Sequence, residues 1–269
     1  MEASNFDTKP RRLLFFDNMR SFVIVFVVLQ HAALVYRDYS RPMNAAQAVF
    51  KFTIMFTDVF MMPILFFTAG YFALASIRKR GPAAFVASKF RRIWIPWLLG
   101  VLVILPPSVW FLSFYTASMR GDTLLPFAAF WRAFMWDALT PYTGFITSAN
   151  IFSHKHLWFL SVLFAMFLVF AAVYRVASMI SPLQGNDGHR QSSKRGVILA
   201  LFTVGVVTFV LFFLVSLAVG WGYHSFLLVN LVHMDFARLS TNAVFFGLGV
   251  FAFSRSWFEG SDPPGLVRG

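Results

Sequence analysis

The sequence predicts an all-α protein: a polytopic membrane bundle of about six transmembrane helices with interfacial helices on its outer side. Of 269 residues, 58% are hydrophobic and 13% are charged, whereas globular proteins have about 25% charged residues. Six apolar runs reach or approach the roughly 17–25 residues that a spanning helix needs. Basic residues cluster between these runs, as in cytoplasmic loops of membrane proteins.

The predicted spans follow one another along the chain. Residues 14–36 form the first, which we interpret as retained because charged residues interrupt any signal-like apolar region. The others are 50–77, 93–115, 157–180, 197–220 and 241–256. Pro96 and the pair Pro106-Pro107 predict that the third span is broken or begins at Pro96.

The basic residues also predict orientation. The loops after the second and fourth runs are basic, so these loops and the N-terminus are expected in the cytoplasm. With six spans, the C-terminus is then also expected in the cytoplasm. The predicted organisation is a cytoplasmic tail (1–13), a transmembrane domain (14–257) and a second cytoplasmic tail (258–269).

Two segments are expected at the outer surface. Apolar residues recur at helical spacing from Phe127 to Ala138, which predicts an amphipathic interfacial helix, either a membrane anchor or a lid over an outward-facing site. Residues 221–240 mix an apolar run with polar residues, which favours a second interfacial helix over a seventh span.

Several function classes are excluded or disfavoured. The absence of cysteine excludes disulfides, thiolate nucleophiles and cysteine-ligated zinc. The 23 basic residues against 11 acidic ones are explained by membrane orientation, so no nucleic-acid partner is expected. His154 and His156 have no third ligand at a metal spacing, and we predict no metal site.

Three ionisable residues of the first span share one helical face. Asp17, Arg20 and His31 fall within a sector of ~60°, and ionisable residues in a span indicate function. Arg20 and His31 lie ~16.5 Å apart along the axis. This spacing suits a long donor such as acyl-CoA, with Arg20 near its charged head and His31 as general base on an acceptor hydroxyl.

Other interpretations of these residues stay open. His31 could be satisfied by a neighbouring backbone or hydroxyl group, and Arg20 could extend to the interface. Asp17 and Arg20 can pair at i and i+3, whereas Asp17 is too far from His31 on a straight helix to orient it directly. Asp58, in the second span, could approach His31 or serve in structural hydrogen bonding.

Four stretches of the chain resemble the membrane acyltransferase 3 family. The first is Asp17-x-x-Arg20 followed by ten residues and His31. The others, in order, are Phe66-Phe67-Thr68-Ala69-Gly70-Tyr71, with Ala69 where serine is usual; Lys89-Phe90-Arg91-Arg92-Ile93 ahead of Pro96, similar to Arg-x-x-Arg; and His156-Leu157-Trp158-Phe159-Leu160. Within the family, the chain most resembles the branch that modifies periplasmic glucans with succinyl groups. This resemblance is carried by Gly247-Leu248-Gly249-Val250 followed by Arg255-Ser256-Trp257.

The resemblance implies an O-acyltransferase of the bacterial inner membrane that moves an acetyl- or succinyl-type group from cytoplasmic acyl-CoA to a carbohydrate hydroxyl at the outer face. Acyl-CoA would be the donor substrate, with no permanently bound cofactor. The implied residues form three groups: His31 and Asp17 as catalytic; Arg20, Lys89, Arg91 and Arg92 as donor-binding; Asp58, His156 and Trp158 on the substrate side.

Other functions remain open at this stage. The basic residues 78–92 either hold the donor's phosphates or only set topology. Family members usually carry about ten spans, so we expect this domain to be incomplete relative to them. A small-molecule or glycan transporter and a non-catalytic truncated remnant are the alternatives, although transporters usually show internal repeats and none is visible.

Overall fold

The computed structural model describes residues 14–36, 44–121, 123, 125–140, 144–145, 152, 154, 157–180, 194–219, 225–228 and 232–258. Helices predominate there: α1 (Leu14–Tyr36), α2 (Ala45–Arg80), α3 (Pro82–Lys89), α4 (Ile95–Leu99), α5 (Leu105–Arg120), α6 (Phe127–Leu139), α7 (Trp158–Ile180), α8 (Lys194–Val219) and α9 (Phe236–Ser254). Three short antiparallel strands accompany them: β1 (Gly144–Phe145), β2 (Ser225–Leu228) and β3 (Val232–Asp235). Apart from Phe258, the predicted tails lie outside the described residues.

Four helical segments are long and apolar enough to cross a membrane, judged by length and composition. They are Ala45–Arg80, Pro82–Met119, Trp158–Ile180 and Arg195–Ala218, which correspond to the predicted second to fifth spans. Helices α1 and α9 occupy the predicted first and sixth spans and pack against α2 and, for α9, also α8. The helical membrane class is therefore confirmed, while six crossings are not confirmed and stay a prediction.

Helix α2 lies between α1 and α9. The Phe16 ring of α1 lies 4.5 Å from that of Tyr71 in α2, and the Tyr71 ring lies 5.2 Å from that of Phe253 in α9. The N-terminal part of α1 thus lies beside the C-terminal parts of α2 and α9. Helix α9 therefore runs parallel to α2, and α1 runs antiparallel to both. Arg78, Lys79 and Arg80 lie at the C-terminus of α2. We call this end of the group formed by α1, α2 and α9 the basic end. The opposite end, where β3 leads into α9, is the sheet end.

Two glycines let α2 and α9 approach closely. A Cβ atom at Gly70 would overlap the backbone oxygen of Phe246, and one at Gly249 would overlap that of Phe67. Small residues permit such backbone contact in membranes, where van der Waals packing between helices replaces the hydrophobic drive of water. The Phe246 ring then packs 5.7 Å from that of Phe167, which brings α7 into the same cluster.

The third predicted span is continuous rather than broken at its prolines. A π-helical turn, Phe90–Trp94, joins α3 to α4 ahead of Pro96, and a second, Gly100–Ile104, joins α4 to α5 ahead of the Pro106-Pro107 pair. A proline ring in an α-helix clashes with the carbonyl four residues earlier. The π turn adds one residue at that position, which lets the helix continue.

The predicted basic loop 78–92 is also helical. Helix α2 extends through Arg80, and the one non-helical residue before α3 is Gly81, whose φ of 76° favours glycine. Its N–H donates to the Ile77 carbonyl, and its own carbonyl accepts from the Phe85 N–H. The basic residues therefore lie on two helices joined by a single-residue bend.

The second predicted interfacial helix, within 221–240, is wrong. Strands β2 and β3 pair antiparallel there, Phe226 opposite Met234, and β1 adds to β2. The apolar run is too short for a helix, and strand pairing satisfies backbone groups of residues 226–228. The first interfacial helix is present as α6, and its residues at helical spacing, Phe130, Phe134 and Ala138, are buried; whether it lies in a membrane interface stays a prediction.

We expect Gly249→Ala to lower the stability of the protein by roughly 1–3 kcal/mol, because the added methyl group must push α9 away from α2. Thermal unfolding in detergent or nanodiscs measures the effect. Gly247→Ala is the matched control, since a Cβ atom there meets no atom within 4 Å. Equal melting temperatures for the two variants would contradict the close crossing.

Candidate functional site

An ion pair and a hydrogen bond join three helices near the sheet end. Arg238 of α9 places Nη2 2.8 Å from Oδ2 of Asp58 in α2, and its Nη1 donates to Oδ1 at 3.2 Å. Gln30 of α1 donates from Nε2 to the same Oδ1 at 3.5 Å. Gln30, Asp58 and Arg238 are called the three-helix clasp below.

The clasp explains how an aspartate is tolerated within the apolar span α2. An unpaired charge in the middle of a membrane helix costs roughly 2.5–3.5 kcal/mol. The guanidinium meets both carboxylate oxygens of Asp58, the two-point geometry that makes arginine–carboxylate pairs strong. The side chains of Asp58 and Arg238 are each 30% exposed, so part of the pair is shielded from solvent.

His31 follows Gln30 directly on α1 and is half-buried. Its Nδ1 lies 2.7 Å from the backbone oxygen of Val27, one turn earlier. A carbonyl oxygen can only accept, so Nδ1 carries the proton of this bond and, in the neutral ring, Nε2 carries the lone pair. This is the backbone contact that the structural interpretation of His31 expects.

Asp17 lies near the start of α1, where it is exposed. Its backbone oxygen accepts from the Ser21 hydroxyl at 3.1 Å. It is fourteen residues, roughly 21 Å along the axis, from His31, which agrees with the expectation that it does not orient the imidazole directly. The side chain of Arg20 lies outside what the structure describes, and the Asp17–Arg20 pair stays a prediction.

The predicted donor-binding cations have different surroundings. Lys89 is half-buried, with Nζ 4.3 Å from the centre of the Phe167 ring and 5.4 Å from that of Phe85, both within cation–π distance. Arg91 and Arg92, on the first π turn, are exposed. Lys89 is therefore held between α3 and α7, whereas the two arginines are accessible to a ligand.

Lys89 lies near the level of the first turns of α1. Phe85 and Phe246 both contact Phe167, at 5.6 and 5.7 Å between ring centres, and Phe246 adjoins Gly70 of α2. Phe16, four residues before Arg20, packs on Tyr71, the neighbour of Gly70. The Lys89 pocket and the Arg20 turn are thus at similar heights along α2, while His31 lies nearer the clasp.

The predicted substrate-side residues that the structure describes, Asp58 and Trp158, have different contacts. Asp58 belongs to the clasp, and the half-buried Trp158 packs against the hydrophobic cluster formed by α2, α3, α7 and α9. His156 lies outside the described residues. His154 is fully buried, with its ring 5.5 Å from that of Trp97 and 4.8 Å from that of Phe152.

Within the described ranges, no group of three or more histidine, aspartate or glutamate side chains could hold a metal ion.

Sequence reasoning missed Gln30 and Arg238. In the sequence, a charged Asp58 within an apolar span indicated that a cation must pair with it. Its partner Arg238 is 180 residues away along the chain, and the sequence does not show which arginine it is. Gln30 carried a weaker signal, a polar residue beside the candidate histidine in an apolar span.

A family model described as "Acyltransferase domain" matches residues 13–266 of the chain. Among curated proteins, "Glucans biosynthesis protein C" from Escherichia coli strain SMS-3-5 / SECEC and from strain K12 are each 24% identical to it over 159 residues. These matches cover 58% of this chain and 37% of the relatives, so the chain spans well under two thirds of their length. No solved protein structure matches the chain.

A double-mutant cycle tests the clasp. We expect Asp58→Ala and Arg238→Ala each to destabilise the protein by roughly 1–3 kcal/mol, because each leaves its partner's charge partly buried and unpaired. The double variant should recover about 1 kcal/mol relative to the sum of the single effects. Arg91→Ala, at an exposed position, is the control in the same unfolding experiment, and strictly additive effects would show that the two charges do not interact.

Proposed function

This chain belongs to the membrane acyltransferase 3 family, and on that premise we propose that it transfers an acyl group from acyl-CoA to a carbohydrate hydroxyl at the outer face of the bacterial inner membrane. The observation that carries the proposal is the His31 ring, whose Nδ1 is bonded to the Val27 oxygen at 2.7 Å. That bond leaves the lone pair of the neutral imidazole on Nε2, the state a general base requires.

The proposed reaction is a single acyl transfer. Nε2 of His31 takes the proton of the acceptor hydroxyl while the oxygen attacks the thioester carbonyl, which gives a tetrahedral intermediate. When this intermediate collapses, the carbon–sulfur bond breaks and an ester forms. The departing thiolate takes the proton from the imidazolium, so the products are the acylated carbohydrate and free CoA, and His31 returns to its neutral form.

The donor is proposed to bind along α1, with its phosphates at the basic groups and its thioester near His31. Arg20 precedes His31 by eleven residues, ~16.5 Å along a helix, a separation that an extended pantetheine arm can bridge. Exposed Arg91 and Arg92 provide forked donors for phosphate oxygens. Lys89, held against the Phe167 ring, adds positive potential and has less freedom to follow a ligand.

A glucan is the proposed acceptor class. The support is the name of the relatives, "Glucans biosynthesis protein C", which match 58% of this chain. With the N-terminus in the cytoplasm, antiparallel α1 and α2 would place the clasp and His31 nearer the outer face and Arg78–Arg80 nearer the cytoplasm. An acetyl or succinyl group is the proposed cargo.

We expect His31→Asn to lower acyl transfer at least about 100-fold, because asparagine can still donate to the Val27 oxygen but cannot accept a proton at neutral pH. The assay follows CoA release from full-length protein in membranes or nanodiscs with a thiol reagent, which this cysteine-free chain does not consume. Mass spectrometry of the acceptor confirms the ester. Transfer at the wild-type rate by a folded His31→Asn variant would overturn the role of His31 as base.

We expect Arg92→Ala to raise the KM for acyl-CoA several-fold with little change in kcat, because it removes a phosphate contact remote from the reacting carbonyl. The loss should diminish at high salt, which screens charges at the surface. Lys79→Ala, at an exposed position at the end of α2, is the matched control for a general loss of positive charge. Equal KM values for the two variants would indicate that Arg92 does not bind the donor.

A further inference from the structure

We propose that the three-helix clasp positions His31 by fixing the rotation of α1 about its own axis. This inference rests on the proposed function, since it assigns Gln30, Asp58 and Arg238 to the acyl-transfer reaction as positioning residues that do not touch the substrate. The contact that carries it joins Gln30, the residue before His31, to the carboxylate of Asp58.

The apolar contacts of α1 form one seam along the helix. Phe16, Val23, Gln30 and Ala33 are buried, spaced seven, seven and three residues apart. Ile24, Val25 and Val28, on other faces, are each more than 60% exposed. Lipid tails are as apolar as these exposed side chains, so the other faces of α1 add no preference for one rotation of the helix.

Gln30 differs from the rest of the seam. Of the described side chains of α1, Gln30 is the polar one that is buried, at 8% exposure. A polar group in an apolar medium is costly without a hydrogen bond, and rotation of α1 would withdraw its amide from Asp58. Gln30 therefore adds a directional bond to the packing of the seam, and this bond favours one rotation of α1.

The acceptor of this bond is itself held in place. Arg238 grips both oxygens of Asp58, at 2.8 and 3.2 Å, and the close crossing of Gly70 and Gly249 fixes α9 against α2. His31 projects ~100° around α1 from Gln30. The direction of the imidazole is thus determined by Gln30 through the helix backbone and by the Val27 oxygen through the ring.

The test replaces Gln30 without removing volume or charge. Gln30→Leu keeps a side chain of similar size and deletes the donor, so we expect a folded protein whose kcat falls roughly tenfold while the KM for acyl-CoA stays within about twofold. The double variant Gln30→Glu with Asp58→Asn reverses donor and acceptor and retains one carboxylate for Arg238. It should recover most of the kcat, whereas Gln30→Glu alone, which brings two carboxylates together, should not.

Two comparisons separate this inference from the proposed function. If His31→Asn loses transfer and folded Gln30→Leu keeps the wild-type kcat, the positioning role is overturned and the proposed function stands. If the wild-type protein shows no transfer, or if His31→Asn transfers at the wild-type rate, the proposed base is overturned. In that case the positioning role is still tested by nitrogen-15 NMR of histidine-labelled protein in bilayers. The His31 signal is the one that is absent from His31→Asn. We expect this signal to broaden in Gln30→Leu, and an unchanged signal would contradict the positioning role of the clasp.

Discussion

A carboxylate inside an apolar helix has to find a cation, and the architecture around α2 depends on how Asp58 meets that requirement. Its partner is Arg238, near the start of α9 and 180 residues away along the chain. The pair joins two helices that no local interaction would bring together, and Gln30 adds α1 to the same carboxylate. Together with the close crossing of Gly70 and Gly249, these polar bonds hold the three helices as neighbours.

Helix α2 runs from the sheet end, where the clasp lies, to the basic end, and α9 packs closely along it. Glycines at 70 and 249 bring the backbones of α2 and α9 together, and aromatic rings fill the space beside them. The imidazole of His31 lies toward the clasp, and the Lys89 ammonium, against the Phe167 ring, lies near the level of the first turns of α1. A proposed base and a proposed donor-binding cation at separate levels would suit an elongated donor better than a small substrate enclosed in one pocket.

Much of the helical fold could be predicted because long apolar runs leave few alternatives in a membrane. The first helix has the predicted bounds, 14–36, and the four candidate spans agree with the second to fifth predicted runs. The π turns before Pro96 and Pro106 could not be predicted, because proline chemistry indicates a break as readily as a local widening. The hairpin of β2 and β3 was missed because a four-residue apolar run has too little periodicity to distinguish strand from helix.

The candidate site was predicted only in part, for a related reason. His31 and the basic residues are chemically distinctive in an apolar chain, and the need of Asp58 for a partner was visible in the sequence. The identity of that partner depends on the crossing of α2 and α9, a long-range packing result that one sequence does not reveal. A role for Gln30 could be recognised only from its hydrogen bond to Asp58 in the structure.

The proposed transfer can be followed with carbon-13-labelled acyl groups in full-length protein reconstituted in oriented vesicles. Acyl-CoA is supplied at the face bearing the N-terminus and an unlabelled glucan at the other face. We expect labelled ester on the glucan and one CoA released for each ester formed. Hydrolysis of acyl-CoA without labelled glucan, or labelling that does not depend on His31, would contradict it.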